Sequence, residues 1–243
     1  MAMADYSRLN QALVELLALD VPPISISFVD TAPTDVERPA GPMPPPTSDG
    51  RTGTVAASCV FWVMATRRTF ATTAADHGNC SVGSLTHGFK TLAEVAKGAD
   101  VAGLVEANWV APEAFPNIAA VTRKPGAIVY GPLARTVLDP DVIFLRLNAK
   151  QLMKLHAAYP ELRFEGKPQC HIIAIAKEHG TLAASTGCAL SRERTGMSDS
   201  ELTCAVPGHR LAELVERLKS VQAADLRVAG YARKDAARFP AIA

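Results

Sequence analysis

One cysteine arrangement is used twice in this chain. Cys59 opens the apolar run 59–66, a short β-like stretch follows at 69–73, and Cys80 ends the polar turn that begins at His77. Cys170 opens a second apolar run, 170–176, followed by the β-like stretch 181–185 and by Cys188 after Thr186 and Gly187. The two spans are of similar length. Two copies that fold as pseudo-symmetric halves bring four thiols together, and thiolates are the natural ligands of soft metals and iron–sulfur clusters. The expectation is a [4Fe-4S] cluster held between the halves by Cys59, Cys80, Cys170 and Cys188. With three ligands, one iron stays open and can act as a Lewis acid on a small substrate, in a lyase, hydrolytic or sulfur-transfer reaction.

Glycines stand beside both turn cysteines (Gly78, Gly83 and Gly187), where they let backbone amides approach sulfur. A helix starting after each turn would lower the thiol pKa. His77 and His87 flank Cys80 and are candidates for acid–base or substrate contacts, as is Arg192 after Cys188. Arg192 and Arg194 suit a carboxylate, because a guanidinium can grip it with two parallel hydrogen bonds. His171 adjoins Cys170, and Cys204 sits in an alternating stretch that reads as core.

Other readings of the same residues stay open. The thiols and histidines could hold haem or a corrinoid without chemistry of their own. Cys80 with His77 or His87 could be a metal-free redox or nucleophilic pair. All five cysteines could simply fill the interior. Close C-x2–4-C pairs are absent, which argues against structural zinc, thioredoxin-type and c-type haem motifs. Phosphate-loop, dinucleotide-binding and G-x-S-x-G patterns are absent too.

The elements that must position these residues alternate in type. A helix is expected over 5–19 with Ser7 as a possible N-cap, and a strand over 24–28, whose alternation predicts one buried face. Residues 33–46 are proline-rich and read as a loop, either a linker or a lid. Helices are expected over 54–66, from Cys80 to near Gly88, over 91–97, 149–159, 169–177 and 209–219. Strands are expected over 69–73, 127–130, 142–147, 181–185 and 202–206, and an irregular stretch over 108–125. The fold class is mixed α/β (α+β): two related halves, about 5–125 and 126–225, with helices packed on a mixed sheet, and a weakly ordered tail over 226–243.

The chain has 243 residues and a net charge of +1. It is long enough for a sizeable core, and its charge balance argues against nucleic acid as the main partner. No segment approaches the roughly 18 apolar residues of a membrane span, and charged residues interrupt the first apolar positions as in no signal peptide. The expected partner is a small-molecule substrate or cofactor in the cytoplasm, with a homo-oligomer left open.

Several landmarks together resemble an uncharacterised prokaryotic family, the domain of unknown function one-six-nine, also called ArCR. They are residues 19–28, the run 59–65, Cys80-Ser-Val-Gly83, residues 130–133, 139–144, Cys170, 187–192, 195–202 and 206–208. The resemblance spans about residues 9 to 220. It implies a mixed α/β fold and places Cys59, Cys80 and Cys188 where the family's characteristic cysteines lie, without an assigned activity. The family pattern C-x-G-G becomes Cys80-Ser-Val-Gly83 here, keeping only its second glycine.

Overall fold

The computed structural model describes residues 5–39, 44–48 and 50–239. Its centre is a seven-stranded mixed sheet, in the order β2-β3-β1-β4-β7-β6-β5. The strands are β1 (Ile24–Val29), β2 (Phe70–Thr72), β3 (Ala127–Pro132), β4 (Val142–Leu147), β5 (Arg163–Glu165), β6 (Ala183–Ser185) and β7 (Leu202–Pro207). All neighbours are antiparallel except β5 and β6. The helices are α1 (Tyr6–Leu17), α2 (Cys59–Met64), α3 (Ser81–Thr86), α4 (Leu92–Val95), α5 (Ala99–Glu106), α6 (Ala149–Ala158), α7 (His171–His179), α8 (Ala189–Thr195) and α9 (Leu211–Ala236).

The duplication read from the cysteines is written in the strand registers. The halves divide between β3 and β4, later than the boundary near 125 expected from the sequence, because β3 is the partner of β1: β1 runs against β3 with Ile24 opposite Pro132 and Val29 opposite Ala127, and β4 runs against β7 with Val142 opposite Pro207 and Leu147 opposite Leu202. β2 flanks β3 as β6 flanks β7, each by three residue pairs. The halves meet where β1 pairs with β4: Ile24 lies opposite Phe144, Ser25 opposite Ile143 and Ile26 opposite Val142. This pairing maps onto itself when β1 and β4 are exchanged, so a pseudo-twofold axis passes through it. Each half closes alike, with a short 3-10 turn after β3 (Leu133–Arg135) and after β7 (Gly208–Arg210).

Both faces of the sheet are covered, because successive side chains of a strand point to opposite sides. Val142 and Phe144 join Ile24, Ile26 and Tyr130 against α2 and α7. Ile143, Leu145 and Leu147 join Cys204 and Val206 against α1, α6 and α9. Cys204 is thus core, as its alternating stretch predicts, and lies on the face opposite the other four cysteines. Ser25 and Ser27 are also buried, where alternation suggests a solvated face. They lie on the second layer and donate to the carbonyls of Gly131 (3.2 Å) and Asp139 (3.4 Å), which offsets the cost of hiding hydroxyls.

Several boundaries depart from the sequence expectations for local reasons. The N-cap of α1 is Asp5, whose carboxylate accepts from Arg8 N, rather than Ser7. α2 begins only at Cys59, and residues 54–58 before it are bends and a turn. α5 and the parallel edge strand β5 are additions to the expected elements. The stretch over 108–125 contains a 3-10 turn at Pro112–Asn117, the geometry that Pro112 and Pro116 permit. The expected tail continues α9 to Ala236, where exposed Leu226, Val228 and Tyr231 give no apolar stripe against the body. Of the proline-rich segment, residues 40–43 lie outside the described residues.

Candidate functional site

The two turn cysteines occupy the same structural position. Each has an extended backbone and is the N-cap of a short helix: Cys80 Sγ accepts from Gly83 N and Cys188 Sγ from Ser191 N, both at 3.4 Å. Serine, threonine, aspartate and asparagine usually take this place; here sulfur does, so each thiol is aimed at free amides and the positive end of a helix turn. Gly187 before Cys188 has φ +92°, a conformation that disfavours side-chain-bearing residues. The other pair also matches: Cys59 is the first residue of α2, and Cys170 caps α7.

The packing then crosses between the halves. α2 of the first half lies on α8 of the second, and α3 of the first on α7 of the second. Cys59 thus comes within electrostatic reach of Cys80 and Cys188, and Cys170 within reach of Cys80. All four cysteines line one cavity of about 230 Å³. An apolar cavity of about 150 Å³ accommodates benzene, so this space admits a small ligand or cofactor. Leu104, Trp109, Pro168 and Leu190 complete its apolar wall. All five cysteines are free thiols. Among the described residues, no three His, Cys, Asp or Glu side chains close on a point as the ligands of a single metal ion would. The thiols surround a space.

Burial favours the protonated thiol at Cys59, Cys80 and Cys170. Burial pushes Cys59 up to about 11, against a lowering by the Ser191 hydroxyl beside it and a further rise from Cys80 and Cys188. The Ser191 oxygen makes no hydrogen bond of ordinary length, so this contact is a long one. Burial also raises Cys80, opposed by the Gly83 amide and the charge of Arg194. Cys170 is raised well above its ordinary value, by burial and then by Cys80, with the Thr86 hydroxyl pulling the other way. A cationic occupant would reverse this balance by stabilising the thiolates.

None of His77, His87 and Arg192 lines the cavity. His77 is buried between Ser58 Oγ (2.8 Å from Nδ1) and Thr72 Oγ1 (2.9 Å from Nε2). Thr72 donates to the Ile128 carbonyl, so it accepts from Nε2–H and the Ser58 hydroxyl donates to Nδ1. Ser58 and Thr72 thus hold a neutral imidazole between α2 and the sheet. His87 donates from Nδ1 to the Gly83 carbonyl at 2.7 Å, and burial lowers it to about 4. Arg192 spends its fork on the carbonyls of Thr186 (2.6 Å), Glu201 (2.7 Å) and Ser198 and ties the turn around Cys188 to the start of β7. His171, 3.7 Å from Glu165, is buried outside the cavity. Trp62, Asn79, Asp100 and Ser191 line the cavity as well, beyond the residues the sequence marks. Their types alone carry no signal; only the fold brings them to the thiols.

The family described as DUF169, uncharacterised ArCR, matches residues 12–217. The chain belongs to this family. The match takes in both halves and all four cavity cysteines, and it ends inside α9, where that helix leaves the body. No curated protein and no solved structure matches the chain. No helix among the described residues is long and apolar enough to cross a membrane.

Proposed function

We propose that the cavity holds a [4Fe-4S] cluster ligated by Cys59, Cys80, Cys170 and Cys188. The observation that carries this reading is that the duplicated cysteines line one space across the pseudo-twofold axis, two from each half. A four-thiolate cubane has twofold axes of its own and is wide enough to keep its ligands apart, which suits thiols that surround a space. The surrounding residues fit such a group. Gly83 N and Ser191 N already point at two sulfurs, the hydroxyls of Ser191 and Thr86 stand by Cys59 and Cys170, and Arg194 adds positive charge near Cys59 and Cys80. Hydrogen bonds to sulfur and nearby charge are the usual means by which a protein tunes a cluster. With only three of these cysteines as ligands, the group would supply Lewis-acid chemistry toward a small substrate.

Two rival readings fit less well. A haem takes one or two axial ligands and leaves the other thiols unexplained. A metal-free nucleophile needs a lowered thiol pKa or an adjacent base, whereas burial raises three of these thiols and no histidine lines the cavity. The test is iron content after anaerobic reconstitution. Cys80→Ala and Cys188→Ala should each lose most of the iron, while Cys204→Ala, on the other face of the sheet, should keep it. Equal iron in all three variants would refute the assignment.

A further inference from the structure

The pseudo-symmetry breaks at the cavity in one respect, its charge. Helices α3 and α8 both start at a capping cysteine, and six residues after that cysteine α3 carries Thr86 where α8 carries Arg194. Thr86 is spent on the Gly83 carbonyl (3.0 Å) and on Cys170. Arg194 lines the cavity, half-buried, and makes no hydrogen bond or ion pair among the described residues. Most arginines packed on this fold are engaged otherwise. Arg146 grips Glu201 with two bonds of 2.7 and 2.8 Å, and Arg192 takes three carbonyls. A half-buried guanidinium with no acceptor loses solvation without return, so it calls for an anion.

Four other residues that line the cavity, Trp62, Asn79, Gln169 and Ser191, each carry a buried polar atom without a partner. Trp62 is 3% exposed, and its indole N–H, which can only donate, has none. The amide of Asn79 donates to the carbonyls of Gly53 (3.2 Å) and Val55 (2.9 Å), which leaves its buried Oδ1 as an unused acceptor. With Ser191 Oγ and Gln169 Oε1, these groups leave a cation, a donor and several acceptors unmatched in the cavity, while its one carboxylate, Asp100, accepts from Ser81 N and Ser81 Oγ and faces Arg51 at 3.9 Å.

We propose that the cavity binds a small organic carboxylate beside the thiols, with Arg194 taking the carboxylate, Trp62 N–H donating to it, and Asn79 Oδ1 accepting from a hydroxyl or amino group on the same molecule. The ligand class is therefore a short hydroxy or amino acid. The inference deepens the cluster reading, since such an acid would lie next to the iron, but its recognition elements belong to the protein alone.

The test is calorimetric titration of the anaerobically purified protein with lactate and with acetate, and with lactamide as the uncharged control. Lactate should bind more tightly than acetate, and lactamide not measurably. Arg194→Gln should weaken lactate about 10- to 100-fold, the effect of removing one charge-assisted hydrogen-bonding partner. Arg194→Lys should recover part of that loss, and far-ultraviolet circular dichroism should show both variants folded. Lactamide binding as well as lactate, or Arg194→Gln leaving lactate affinity unchanged, would overturn the proposal. Iron and sulfide are assayed on the same samples. Iron without lactate binding sinks this inference alone, and lactate binding without iron sinks the cluster reading alone.

Discussion

Gly83 sits at the closest approach between the two chemistries of the first half, the Cys80 turn and the buried His77. A methyl group on its Cα would lie 2.6 Å from Ser58 Oγ, 3.2 Å from Ser58 Cβ and 3.4 Å from Cys80 Sγ. Ser58 cannot retreat freely, because it is buried and its hydroxyl bonds His77 Nδ1 at 2.8 Å. Gly83→Ala must therefore push Ser58 aside. Overpacking of this kind costs about 1–3 kcal/mol, and the strained bond to a buried imidazole adds about 1 kcal/mol. Against this stands a gain of up to about 1 kcal/mol for alanine in a helix. The net expectation is a destabilisation of about 1–3 kcal/mol, read from urea unfolding followed by circular dichroism. Gly103 provides the internal control. It lies exposed in α5, and a methyl group on its Cα would have nothing within 4 Å, so Gly103→Ala should stabilise by about 0.5–1 kcal/mol. If Gly83→Ala is as stable as the wild type while Gly103→Ala behaves as stated, the packing account of the Cys80 turn is refuted.

Three more outcomes follow from the charges. His87 is held near 4 in the fold but titrates near 6.5 when unfolded, so the unfolded chain binds the extra proton and stability falls as pH drops below about 6.5. That shift corresponds to about 3 kcal/mol, of which about 2 should be lost by pH 5, with His77 acting in the same direction; urea midpoints at pH 7 and pH 5 measure it. Cys59 keeps its proton up to about 11, so in the metal-free protein its alkylation by iodoacetamide at pH 7 should be far slower than in urea, by mass-spectrometric mapping; equal rates would contradict the burial argument. Glu201→Ala breaks the two-bond pair with Arg146 and the bond to Ser198 N (2.7 Å), and should cost about 1–3 kcal/mol in the same unfolding assay.

The parts of this molecule legible in its sequence are those set by local periodicity. The alternation in 24–28 gives β1, the apolar run 142–147 gives β4, and repetition of cysteine, apolar run, short strand and capping cysteine points to the two halves. The glycine kept from the family pattern is the one with no room for a methyl group, and the position filled by Val82 lines the cavity. What was not legible depends on contacts distant along the chain. β5 is a three-residue edge strand with exposed Arg163 and Phe164, so nothing in its own pattern marks it. His77 and His87 flank a cysteine in sequence, yet the 3-10 turn that ends at His77 and the C-terminal end of α3 at His87 direct both into the core, and neither lines the cavity. Arg192 and Arg194 are equivalent as text, and only helix geometry sends one to backbone carbonyls and the other to the cavity.

The most direct test of the four-thiol site is the visible spectrum of anaerobically purified protein together with its iron and acid-labile sulfide. The account predicts broad absorbance near about 400 nm with about four iron and about four sulfide per chain. A colourless protein that stays free of iron and sulfide after reconstitution would contradict it.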